Sequence, residues 1–127
     1  MFTNCVSPTG NTIIGNLAQL ITLNGTSFMN NSQTDLYLIE SSGIVDKTSF
    51  TGTAASSIVV SMSSLQMTNS NVTNSANLNS LGKGLYAIGR NLTLKGNLFS
   101  NLTAAVGGAI YLATDTSGVF SNFLFKF

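Results

Sequence analysis

A short unit recurs along this chain at intervals that a single fold class explains. In "LNGTSFMNN" Phe28 is followed two residues later by Asn30, and "VDKTSFTGT", "MTNSNVTNS" and "LKGNLFSNL" repeat the arrangement. The apolar anchors are Phe2, Phe28, Phe50, Val72, Phe99 and Phe125, separated by 26, 22, 22, 27 and 26 residues. Five residues before the later anchors stand Leu23, Val45, Met67, Leu94 and Phe120. Two residues earlier come Ile21, Gly43, Leu65, Leu92 and Gly118. This period-2 alternation describes a strand with one face inward.

A second strand follows each of the first five anchors. It holds Ile13-Ile14, Leu36-Tyr37-Leu38, Ile58-Val59-Val60, Leu85-Tyr86-Ala87 and Ile110-Tyr111-Leu112. From that strand to the next inward residue the spacing is 9 or 10, whereas from anchor to second strand it runs from 8 to 13. Length variation is confined to one corner, as in a solenoid whose stacked strands tolerate no insertion. Helical periodicity is poor, and the β-branched residues, Asn and Gly oppose helical or leucine-rich repeats. The reading is an all-β, single-stranded parallel β-helix of about five coils of 22–27 residues, right-handed. Residues 1–127 form one such domain, read as a fragment of a longer solenoid.

The coil register turns single residues into columns. Phe2, Phe28, Phe50, Val72, Phe99 and Phe125 form a lumen stack. Two residues on, Asn4, Asn30, Asn74 and Asn101 form a column interrupted by Gly52. Asn tolerates a left-handed backbone, and in register its amides are read as an inward ladder. Three residues before Ile13, Leu85 and Ile110 stand Gly10, Gly82 and Gly107, in the coils with a long corner. They are read as structural turn residues. The double glycine at 107–108 continues into a strand rather than a helix, which excludes a phosphate-cradling loop.

Charged residues are 7% of the chain and the net charge is +1, far from a nucleic-acid binder. The lone Cys5 cannot form an internal disulfide and is read as a small structural residue. No apolar run approaches the ~18 residues of a membrane helix. The start "MFTNCVSPTGN" lacks a signal-peptide pattern.

There is no His, which removes the usual triads and most zinc sites. The carboxylates are Asp35, Glu40, Asp46 and Asp115. A glycosidase needs two facing one another at about 5–9.5 Å, and the register offers no second acid in the Asp46 column. These acids, with Lys47, Lys83, Arg90 and Lys95, are read as solvated surface charge. No catalytic residue, metal site or cofactor is assigned.

Tyr37, Tyr86 and Tyr111 share an outward column interrupted by Val59. They are read as cross-coil stacking, with a partner- or glycan-binding strip as the alternative. Asn-x-Ser/Thr sequons occur at Asn24, Asn30, Asn71, Asn91 and Asn101. Asn24 is the preferred acceptor, because an inward ladder would hide Asn30 and Asn101.

At "FSNLTAAVGGAIYL", Phe99 to Leu112, the chain resembles the repeats of polymorphic outer-membrane and related surface β-helix proteins. Those units read Phe-x-x-Asn followed by Gly-Gly-Ala-Ile. Phe28 and Asn31 share the first spacing, while Phe99 and Asn101 are one residue closer. More widely the chain resembles a pectin-lyase-like right-handed β-helix. The resemblance implies an extracellular or cell-surface location and a structural, adhesion-type scaffold without catalytic activity of its own. The alternatives are an incomplete polysaccharide lyase or hydrolase, and a glycan-binding module. Expected partners are glycans or other surface proteins. Uncapped coil edges imply end-to-end self-association.

Overall fold

The computed structural model describes residues 2–3, 12–17, 19–113, 116–121 and 124–126. All of its regular elements are strands, and they stack in three parallel sheets. The first sheet holds β1 (Phe2–Thr3), β4 (Ser27–Met29), β7 (Ser49–Thr51), β10 (Asn71–Leu81), β13 (Leu98–Val106) and β16 (Leu124–Lys126). The second holds β2 (Ile13–Asn16), β5 (Leu36–Ile39), β8 (Ile58–Ser61), β11 (Leu85–Ile88) and β14 (Ile110–Leu112). The third holds β3 (Ile21–Asn24), β6 (Ser42–Asp46), β9 (Ser64–Thr68), β12 (Arg90–Lys95) and β15 (Thr116–Ser121). Each strand pairs with its equivalents one coil away, so the chain is a parallel β-solenoid of about four turns between β2 and β14.

The pairing register is the one that the repeat spacing predicts. Phe28 lies opposite Phe50, Phe50 opposite Val72, and Val72 opposite Phe99. The backbone of β1 places Phe2 against Phe28, and that of β16 places Phe125 against Phe99. Leu23, Val45, Met67 and Leu94 form a second column, and Leu36, Ile58 and Leu85 a third. These side chains are buried and fill the lumen. Phe28 and Phe50 stack with ring centroids 5.0 Å apart and planes within 3°. Burying each such side chain contributes roughly 1.5–3 kcal/mol, and no coil could bury it without its neighbours. In the last coil Ile110 is only partly buried and Leu112 is 39% exposed, although both follow the inward register.

Among the described residues, the coils bend where one residue takes a left-handed backbone. Leu17, Glu40, Met62 and Gly89 have φ of 53°, 45°, 48° and 64° after the strands of the second sheet. Gly25, Lys47, Asn69 and Gly96 have φ of 61°, 48°, 47° and 66° after those of the third. Asn30, Gly52 and Asn101 have φ of 52°, 71° and 52° after the short strands of the first sheet or within β13. A left-handed L-residue costs roughly 1–2 kcal/mol, so stacking imposes this conformation even on Leu17, Glu40, Lys47 and Met62.

A buried small polar residue follows many of these bends. The Ser41 N–H donates to Ser63 Oγ at 2.8 Å, and the Thr48 N–H donates to Ser70 Oγ at 3.0 Å. The Ser70 N–H donates to Asn97 Oδ1 at 2.9 Å, and Asn97 Nδ2 donates to the Met67 carbonyl at 2.9 Å. These bonds satisfy backbone groups that leave the sheet ladders at the corners.

The long corner is strand rather than loop. β10 and β13 continue past their anchors, pairing Ser75 with Leu102, Ala76 with Thr103 and Asn77 with Ala104. A bulge then shifts the register so that Leu81 faces Val106. The extra residues of these coils therefore widen the first sheet.

Candidate functional site

Five deeply buried polar side chains meet where the short corners end and the long corners begin. Asn31, Asp35, Thr53, Ser57 and Lys83 are each 0–1% exposed. They come from three successive coils. The Asp35 N–H donates to the Ser57 carbonyl at 3.0 Å, and the Ser57 N–H donates to the Lys83 carbonyl at 2.9 Å. Asn31 Nδ2 donates to Asp35 Oδ1 at 2.6 Å, and the Thr53 hydroxyl donates to Asp35 Oδ2. Asn31 and Thr53 follow left-handed residues, as Ser41 and Thr48 do, but they turn to a carboxylate.

Lys83 closes the cluster from the coil above. Its Nζ donates to the carbonyl oxygens of Ala54 and Ala55 at 2.5 and 2.6 Å. The next coil carries a longer corner here, and the ammonium caps both carbonyls. Burial pushes the Asp35 carboxyl up to about 6, opposed by hydrogen bonds from Thr53 and Asn31 and by the Lys83 charge. Burial pushes Lys83 down to about 8, opposed by the Asp35 charge. Ser57 Oγ is buried with no hydrogen-bond partner. The site thus concentrates an amine, a carboxyl, a carboxamide and two hydroxyls in a dry corner.

This placement corrects the reading of Asp35 and Lys83 as solvated charge. The sequence signal was weak: Lys83 stands between two glycines, and Asp35 immediately precedes a strand. Solvation cannot be read from residue type alone when a corner changes length above it. Asp46 does lie at the surface. It accepts from Thr68 Oγ1 at 2.6 Å and from Asn69 Nδ2 at 3.2 Å, and the Thr68 bond leads in lowering its pKa. Glu40 and Arg90 line an open depression with Met62 and Gly89. Among the described residues no three Cys, Asp or Glu side chains cluster. No helix there is long and apolar enough to cross a membrane.

Tyr37, Tyr86 and Tyr111 occupy one column of the second sheet, with Val59 between the first two. Tyr86 and Tyr111 stack at 5.3 Å with planes within 9°, so each ring covers part of the other's face. Gly82 and Gly107 have φ of 54° and 61° and lie against Tyr111 of this pair. A Cβ on Gly82 would come within 2.7 Å of Tyr111 Cβ and 2.4 Å of the Leu85 carbonyl. The turn glycines therefore give Tyr111 room as well as bending the chain.

The expectation of inward asparagine amides fails at Asn30 and Asn101. Both are exposed in left-handed conformation, because the bend turns the side chain out of the coil. Asn74 lies within β10. Asn24, Asn71 and Asn91 are also exposed, so all five sequon asparagines reach solvent. Asn4, Cys5, Gly10 and Asp115 lie outside the described residues.

No family model, curated protein or solved structure matches this chain.

Proposed function

We propose that this chain is a structural scaffold segment of a surface or secreted adhesion-type protein. The observation that supports the reading is the corner ladder. Ser41, Ser63, Thr48, Ser70 and Asn97 spend buried hydrogen bonds on joining one coil to the next. Such bonds stiffen a stack of coils along its length, which suits a rigid extended support. The finer assignment, to right-handed pectin-lyase-like β-helices with polymorphic outer-membrane repeats, rests on the Phe99–Leu112 pattern. Right-handed winding also agrees with the general preference of parallel crossovers. An extracellular or cell-surface location follows from that same resemblance.

A polymer-cleavage assay tests the scaffold reading against the enzyme alternative. The chain is incubated with pectin-like polymers, with and without calcium. The expected result is no shortening of the polymer, and sustained turnover would overturn the reading. A glycan array with parent protein and Tyr86→Ala/Tyr111→Ala tests the binding-module alternative. Saturable glycan binding that the double variant loses would favour that alternative.

A further inference from the structure

The buried corner holds the reactants for a covalent bond between coils. We propose that Lys83 and Asn31 are joined by an intramolecular isopeptide bond, with Asp35 as the proton carrier.

The reacting groups converge on the middle of three coils. Lys83 reaches down from the coil above until its Nζ meets the Ala54 and Ala55 carbonyls. Asp35 reaches up from the coil below until its carboxylate meets the hydroxyl of Thr53, the residue before Ala54. Asn31 holds its Nδ2 2.6 Å from that carboxylate. The Ala54 N–H donates to the Asn31 carbonyl at 2.9 Å, which fixes the two corners against each other. One coil spacing, about 4.8 Å, separates them. The reaction requires Lys83 Nζ to leave the Ala54 carbonyl and reach Asn31 Cγ.

The chemistry balances with groups already present. The uncharged Lys83 Nζ attacks Asn31 Cγ and forms a tetrahedral carbon. Asp35, which carries the proton when the amine is free, gives it to Nδ2, its hydrogen-bond partner, and takes one from Nζ. The Cγ–Nδ2 bond breaks, ammonia leaves, and Asp35 returns to its starting state. The product is one Cγ–Nζ amide, with no oxidant or cofactor consumed. Asn31 is the electrophile, which leaves the Asp35 carboxyl free to carry the proton.

Exclusion of water favours each step. Burial moves Asp35 and Lys83 toward their neutral forms, to about 6 and about 8. Both shifts raise the share of pairs with the proton on the acid and the amine free. In water the same pair would hold far less free amine. The preassembled corner also supplies the proximity that intramolecular acylation needs.

Mass spectrometry of the intact, denatured chain tests the proposal. The expected mass lies one ammonia below that of the sequence. Trypsin should fail after Lys83, giving a branched peptide of residues 1–47 joined to residues 48–90. Fragment ions should place the link between Asn31 and Lys83. Asp35→Asn should restore the unmodified mass and the cut after Lys83. An unmodified parent chain overturns the proposal without requiring any variant to fold. Loss of water, with a link to Asp35, overturns the assignment of Asn31. Cross-linking that persists in Asp35→Asn overturns the proton-carrier role.

Discussion

Lys83 Nζ donates to the Ala55 carbonyl at 2.6 Å, from one coil to the corner of the coil before it. Stacked coils of equal corner length satisfy their carbonyls through backbone pairing. A longer corner removes that partner, and here a side chain replaces it.

Replacing Lys83 by Met should therefore destabilise the chain by about 3 kcal/mol or more. Two buried carbonyls lose their donor and Asp35 loses its counter-charge. Urea denaturation of Lys83→Met, Asp35→Asn and the double variant measures this. The double variant should cost less than the sum of the singles, and strict additivity would show that the two residues are not coupled.

Gly82 and Gly25 separate backbone conformation from crowding. Both have positive φ, but nothing lies within 4 Å of a Cβ built on Gly25. Gly25→Ala should cost about 1 kcal/mol from the left-handed backbone alone. Gly82→Ala must also displace the Leu85 carbonyl or Tyr111, and its cost should exceed that of Gly25→Ala by about 1 kcal/mol or more. Equal denaturation midpoints would contradict the close packing beneath Tyr111.

Met62 holds φ of 48° while its side chain is 56% exposed. Met62→Gly removes left-handed strain but adds freedom to the unfolded chain. The net expectation is stabilisation of about 0.5 kcal/mol, seen as a small rise in Tm. A clear fall in Tm would mean that Met62 packing outweighs the bend.

Asp35 and Asp46 should respond to pH with opposite signs. Burial raises Asp35 above its ordinary value, so its ionisation opposes folding. Its contribution falls as pH rises from about 4 to about 6. The Thr68 hydroxyl leads in lowering Asp46, so its contribution is present above the ordinary carboxylate value and is lost as pH falls through the lowered one. Carboxyl-carbon NMR should show Asp46 titrating below an ordinary Asp. Asp35 should titrate at about 6 while Lys83 keeps its charge, and higher once that charge is gone. An Asp35 that titrates with Asp46 would contradict its burial.

Periodicity carried the coil register into the sequence because a stacked strand repeats its environment every coil. Phe28, Phe50, Val72 and Phe99 could be aligned by counting, since each must fill the same slice of lumen. Two of the bend columns were much less legible. Leu17, Glu40 and Met62 share a left-handed backbone, yet their side chains share no chemistry. That conformation comes from the pairing of flanking strands, which propensity at one residue does not report.

The buried cluster lay further still from what residue spacing could express. Asn31 and Thr53 share a column, but Asp35 and Lys83 stand in others, and the four are spread over 53 residues. By itself the sequence determined the solenoid, because alternation and repeat length are local consequences of strands that bury one face. Only the tertiary structure decided that Asp35 and Lys83 are dry. Their environment depends on a change of corner length between adjacent coils, and so on atoms from three coils at once.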